Sequence, residues 1–293
     1  MSEQRRRLDL LLVERGAFAS RRQALGAIMA GLVYVDGRRV DKAGTMVPVN
    51  ARVEVRGDPM PYVSRGGLKL EKALRAFGWD PAGAVALDVG ASTGGFTDCL
   101  LQHGARRVYA VDVGYGQLHW GLRNDPRVVV MERTNARHLK PGDLPEPVDW
   151  VVIDVSFISL AKIFPAVVPL MKTDGRLICL IKPQFEAGPE RVGPRGVVKD
   201  PDVHREVVLR VLAALRDSGL EPEHLTFSPH TARPSSKTRP RPHLTFSPLR
   251  GPEGNIEYLA GARRSAPARD PAAWERIVAD TVAAAHEADL PTT

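Results

Sequence analysis

Asp154 and Lys182 are an acid and a base that each end an apolar, strand-like run, in Val151-Val152-Ile153-Asp154-Val155-Ser156-Phe157 and Leu180-Ile181-Lys182-Pro183. Ligands of open parallel sheets bind at the carboxyl ends of the strands, so both residues are expected to face one crevice. A buried charge is costly unless paired, and either residue taken alone also fits an ordinary ion pair. Upstream, Leu87-Asp88-Val89-Gly90-Ala91-Ser92-Thr93-Gly94-Gly95-Phe96 passes from a strand end through a glycine-rich turn into a helix. Such a turn lets the backbone approach a ligand, and the helix start offers free N–H groups. Tyr109-Ala110-Val111-Asp112-Val113-Gly114 then places an acid at the next strand end, where it can accept hydrogen bonds from a ribose diol. The spacing Gly90-x-x-x-Gly94 is not the Gly-x-Gly-x-x-Gly dinucleotide fingerprint, which favours S-adenosyl-L-methionine as the cofactor. Its expected cradle is Asp88, Gly90, Ala91, Ser92, Gly94, Gly95, Phe96, Asp112 and Val113. Asp88 is expected near the methionine end, and Asn135 and Ala136, past the third strand, beside the adenine. No metal site is expected.

The elements that must position these residues alternate along the chain. Strands fit 84–90, 106–114, 128–133, 149–155 and 176–182, and helices fit 94–103, 159–171, 202–218 and 272–287. That alternation predicts an α/β, Rossmann-like domain, a mostly parallel sheet with helices on both faces. Ahead of it, two short helical segments, Leu8–Gly16 and Ser20–Met29, precede a strand, Asp-Gly turn and strand over Gly31–Val40, with Ser20 as an N-cap. This small α+β domain is expected over 1–57, a linker containing Asp58-Pro59-Met60-Pro61 over 58–62, and the larger domain over 63–293. The hexapeptide His224–Pro229 recurs as His243–Pro248 around a Pro-, Ser- and Arg-rich stretch, so a flexible insertion is expected near 230–248. Only one copy can occupy a given sheet position.

Of the net charge of +7, residues 1–57 carry +5, eleven Arg and Lys against six Asp and Glu. A basic head on a nearly neutral body points to a polyanion-binding module, with a merely solubilising surface as the alternative. No apolar run approaches the ~20 residues that cross a bilayer, and Met1–Leu8 has no apolar core of a signal peptide. Cys99 and Cys179 lie in apolar stretches and are expected to be free thiols in a reducing cytoplasm.

The N-terminal segment resembles the S-four-type RNA-binding module, with Arg5, Arg6, Arg21, Arg22, Arg39 and Lys42 as phosphate contacts. Nearly the whole chain outside 230–248 is similar to the TlyA family of ribosomal-RNA ribose 2′-O-methyltransferases, related in the catalytic domain to FtsJ. The motifs that carry this are Tyr62–Leu70, Asp88–Phe96, Asp112–Leu118, Glu132–Asn135, Asp154–Ser159 and Lys182–Phe185. The resemblance implies a Lys-Asp-Lys-Glu tetrad, matched by Lys69, Asp154, Lys182 and Glu257, in a cytoplasmic monomer acting on ribosomal RNA within ribosomal subunits. Asp154 would orient Lys182, and Glu257 would orient Lys69 or the ribose. Lys182 is the candidate to accept the departing proton or to stabilise it electrostatically; accepting it requires the neutral form, which desolvation and the like charge of Lys69 favour and the Asp154 carboxylate opposes. Phe157 either stacks on an extruded base or packs in the core, and Arg65 and Arg133 are candidate phosphate contacts. Gly188–Gly196 is a candidate gating loop. The chain departs from the family in its linker, which lacks the usual aromatic-containing tetrapeptide, and in the insertion upstream of Glu257. Three other readings are a non-catalytic RNA-binding protein, a pseudouridine synthase and a haemolysin. The Gly-Arg-x-Asp signature of the second is missing from the sequence.

Overall fold

The computed structural model describes residues 4–18, 20–29, 31–56, 60–228 and 254–288. The chain divides into two compact units, Met1–Val63 and Ser64–Thr293. Residue 57 of the expected first domain, residues 58 and 59 of the expected linker, the insertion at 230–248 with the second hexapeptide copy, and the side chain of Arg22 lie outside the described residues.

The first unit comprises β1 (Arg5–Arg7), α1 (Leu8–Glu14), α2 (Arg21–Met29), β2 (Val33–Val35), β3 (Arg38–Arg39), β4 (Met46–Pro48) and β5 (Val53–Val55). Its core is built from Leu8, Leu11, Leu12, Ala24, Ile28, Val33 and Val47. Ser20 Oγ accepts from Gln23 N at 3.3 Å, the expected N-cap contact. Asp36 and Gly37, both at positive φ, turn β2 into β3, and β2 pairs with β5 on its other side. Three successive arginines do not read as a strand, yet Arg5–Arg7 pairs antiparallel with Met46–Pro48 while its side chains stay exposed.

The second unit is built on a seven-stranded sheet in the order β11-β12-β10-β9-β6-β7-β8. Its strands are β6 (Val85–Val89), β7 (Arg107–Val111), β8 (Val128–Met131), β9 (Val148–Ile153), β10 (Met171–Ile181), β11 (Glu221–Phe227) and β12 (Tyr258–Arg263). Strands β6 to β10 run parallel; β12 is antiparallel to both β10 and β11. The fully buried Val-Ala-Leu-Asp-Val of β6 is the apolar run expected of a strand covered on both faces. From β6 the chain goes to β7 on one side and later to β9 on the other, which opens a crevice at the carboxyl ends. The described residues of the first hexapeptide copy fall in β11 and the position after it.

Helices α4 (Gly95–Gln102), α8 (Pro201–Asp217) and α9 (Pro271–Glu287) match their expected ranges within a residue or two. The single helix expected over 159–171 is instead broken. It forms a 3-10 turn at Leu160–Lys162, the short helix α6 (Phe164–Val167), and another 3-10 turn at Val168–Leu170. Pro165 and Pro169 each remove a helical N–H donor there. Helix α3 (Gly66–Phe77), outside the expected set, packs Leu70, Ala73, Leu74 and Phe77 inward and ends on the left-handed Gly78. Two four-residue helices, α5 (Trp120–Arg123) and α7 (Pro183–Glu186), lie after β7 and β10.

Candidate active site

Lys69 lies on the inward face of α3, and Glu257 immediately precedes β12. Their side chains meet at 2.5 Å, with Lys69 Nζ donating to Glu257 Oε2, both nearly excluded from solvent. Lys182, just past β10, places Nζ 2.5 Å from Asp154 Oδ1 and donates to Ser156 Oγ at 3.0 Å. The four residues named from the resemblance therefore come together as two lysine–carboxylate pairs. Both pairs line one cavity of about 560 Å³. Two acceptors in its wall, Glu257 Oε1 and Gln184 Oε1, are buried without a hydrogen-bond partner among the described residues. Unpaired buried acceptors call for a donor from a ligand or from water.

A second cavity, of about 540 Å³, is lined by Asp112, Val113, Asn135 and Ala136. It shares Gly90, Ser92, Asp154, Ser156 and Phe157 with the first, so the two are lobes that meet at the ends of β6 and β9. The Asp112 carboxylate accepts from Ser92 N at 2.8 Å and from Gly114 N at 2.7 Å, which fixes its position at the end of β7. Asn135 caps a 3-10 turn by accepting from Arg137 N. Ala91, Gly95 and Phe96 line the first lobe.

Two members of the expected cradle lie elsewhere. Asp88 is fully buried below the turn, where Thr97 Oγ1 donates to it at 2.6 Å, and it lines neither lobe. Burial pushes its carboxyl up to about 7, with the nearby charge of Asp154 adding to the rise and the Thr97 hydrogen bond opposing it. Gly94 packs against Leu118 and Leu122 outside both linings. Gly90 has a role beyond ligand approach. It sits at φ +83, and a Cβ there would fall 2.4 Å from the Asp154 carbonyl oxygen, so only glycine lets the turn close on the end of β9.

Phe157 is 89% exposed, has φ +64 and tilts against Phe185 at 4.7 Å between ring centroids, which rules out the core-packing alternative. Arg65 is exposed at the rim of the first lobe. Arg133, also at positive φ, lies over the Tyr115 ring at 4.2 Å. In the first unit the candidate phosphate contacts are tied locally. Arg5 donates to the Met46 carbonyl, Arg6 pairs with Glu14, and Arg21 shares the buried Asp9 with Arg7. The Arg7 hydrogen bond, reinforced by Arg21, holds Asp9 down at about 2 despite its burial. Lys42 and Arg39 are exposed. Ser156, Gln184 and Asn255 also line the first lobe and were missed as site residues, although each lies within two residues of one that was named.

Residues 62–239 match the FtsJ-like methyltransferase family, and residues 6–53 match the S4 domain. The 16S/23S rRNA (cytidine-2′-O)-methyltransferase TlyA of Mycobacterium tuberculosis is 46% identical over 260 residues, covering 88% of this chain and 90% of that protein. Hemolysin A of Brachyspira hyodysenteriae is 38% identical, over 87% of this chain and 98% of its own. A solved Streptococcus thermophilus structure with a provisional hemolysin label superposes at a TM-score of 0.69, with 40% identity over 98% of this chain and 97% of that one. No helix among the described residues is long and apolar enough to cross a membrane. With a seven-stranded sheet, two lobes at its carboxyl edge and these matches, the chain belongs to the FtsJ-like methyltransferase family and carries an N-terminal S4 domain.

Proposed function

We propose that this chain transfers the methyl group of S-adenosylmethionine to a ribose 2′-hydroxyl of ribosomal RNA, within ribosomal subunits in the cytoplasm. The observation that carries this reading is the shared wall between the lobe of Asp112 and the lobe of the two lysine–carboxylate pairs. The relatives named for rRNA 2′-O-methylation support the substrate class.

The residues present fit the cofactor. Asp112 presents a fixed carboxylate to a diol, Asn135 and Ala136 border the same lobe, and the carboxylates of Asp112 and Asp154 suit a cationic ligand. When bound, the cofactor supplies an electrophilic methyl on a sulfonium, whose departure leaves a neutral thioether. A ribose hydroxyl is a weak nucleophile, so positioning carries much of the work, up to ~7–11 kcal/mol in favourable systems. Lys182, held by Asp154 and Ser156, hydrogen-bonds the acceptor oxygen and stabilises the negative charge that builds as its O–H bond weakens. The released proton passes to the Asp154–Lys182 pair and then to solvent. Lys69, fixed by Glu257, holds the ribose, and the free Glu257 Oε1 accepts from a neighbouring hydroxyl. Phe157, exposed beside the site, stacks on the extruded base.

The test is incubation of isolated ribosomal subunits with labelled cofactor, followed by mapping of the label. Ribose 2′-O labelling is expected, and Lys182→Ala should lower the rate at least ~100-fold while cofactor affinity by calorimetry is retained. Label on a base, no labelled ribosomal RNA, or normal turnover in the variant would overturn the reading.

A further inference from the structure

The loop after β10 carries a cation that the reaction described above leaves without a role. Four cationic side chains line the first lobe. Lys69 and Lys182 are each neutralised by a carboxylate, whereas Arg65 and Arg195 have no acidic partner among the described residues. Arg195 is exposed and sits at φ +66, ψ 18, a left-handed conformation that is costly for a residue with a Cβ. The turn that displays it is closed by Gly193 N donating to the Val197 carbonyl at 3.0 Å and Gly196 N to the Gly193 carbonyl at 3.1 Å.

That turn is also pinned from outside. Asn255 is 3% exposed; its Oδ1 accepts from Val198 N at 3.1 Å, and its Nδ2 donates to the Gly196 carbonyl at 2.8 Å. His204, fully buried on α8, lies 3.0 Å from the Val198 carbonyl through Nε2 and 2.7 Å from the Tyr258 hydroxyl through Nδ1. Both ties run to the segment that bears Glu257. A strained arginine on a turn locked to the same backbone as a site carboxylate has a fixed place relative to the acceptor lobe.

We infer that Arg195, which lines the same lobe as Arg65, holds an RNA phosphate beside the acceptor ribose, and that Asn255 positions it by locking the turn. The inference rests on the ribose-methylation reading. A ribose seated in the lobe brings one phosphodiester on each side of it, and a lobe whose lysines are already paired needs further cations to receive them. Arg195 would supply a charge-assisted, bidentate contact of the kind suited to phosphate.

The experiment measures methyl transfer to ribosomal subunits across a salt series for the wild type, Arg195→Ala, Arg195→Gly and Arg195→Lys. Alanine and glycine should each raise KM for the subunits about tenfold. They should also flatten the dependence of log KM on log salt by about 0.7–0.9, the share of one phosphate, while lysine keeps the slope. Glycine relieves the backbone strain without restoring charge, so recovery of KM in that variant would mean a role in turn shape alone and would overturn the inference. An unchanged slope in both uncharged variants, or a loss of cofactor affinity in place of RNA affinity, would overturn it too. If the wild type methylates ribosomal RNA and the slope is unchanged, only the role of Arg195 falls. If the wild type methylates none, the parent reading fails first.

Discussion

Asp88 shows how a side chain can serve a site that it never touches. It lies under the glycine turn, shares a hydrogen bond with Thr97, and is held near pH 7 mainly by its burial. An unfolded carboxyl titrates near ~4, so between that value and about 7 the folded chain keeps a proton that the unfolded chain has released. The favourable contribution of this group is therefore complete below ~4 and is lost as the pH rises through 7. Asp88→Asn keeps an acceptor for Thr97 and cannot ionise. Urea unfolding at pH 5, 6, 7 and 8 should show stability falling with pH less steeply in the variant than in the wild type, and parallel curves would refute the assignment. The presence of an acid at this position was legible from the strand-to-turn pattern. Its depth was not, because the pattern Leu-Asp-Val does not say whether the carboxylate ends up above or below the turn.

Helix α3 is what brings Lys69 to Glu257, and it can lie on the sheet because β12 carries a glycine under it. A Cβ at Gly261 would come within 2.9 Å of the Phe77 ring and 3.1 Å of Trp79. Gly261→Ala should thus force α3 away from the sheet, costing about 1–3 kcal/mol of stability in a denaturant melt and lowering the methylation rate with it. A stable variant of normal rate would show that the helix has room to spare. The sequence gives weak notice of this arrangement. The five parallel strands are legible because they are continuous apolar runs bounded by glycine and charge. Residues 66–77 begin with two glycines and place a lysine in the middle of the apolar stripe, which hides the helix. Strand β12, Tyr-Leu-Ala-Gly-Ala-Arg, is short and lacks the β-branched residues that mark its neighbours. The tetrad was reached through a family resemblance, since nothing in the spacing of Lys69 and Glu257 says that they pair.

Across the whole chain, positive charge is unevenly spread, with residues 1–57 carrying +5 of the net +7. The S4 unit concentrates positive charge on side chains held by β1, α1 and the turn before β4, while in the second unit the two lysines of the first lobe, Lys69 and Lys182, are each paired with a carboxylate. Replacing Arg5, Arg6 and Lys42 together with Gln should weaken binding to ribosomal subunits and reduce the slope of log affinity against log salt by roughly 2–3. Calorimetry should find cofactor affinity unaltered, and an unchanged salt slope would mean that these three residues do not meet phosphate. The basic head was legible in composition alone, but Asp9, which anchors Arg7 and Arg21 from inside, reads in sequence as one more surface charge. The long-range pairing described for the site also has a consequence in time. Lys69 and Glu257 are separated by 188 positions. At 5–20 residues per second, a ribosome takes roughly 10–40 s to travel from one codon to the other. A nascent chain interrupted in that interval after the glycine turn has been made owns that turn and Lys69 but not the carboxylate that completes the constellation, so the site is among the last features of the molecule to be assembled during synthesis.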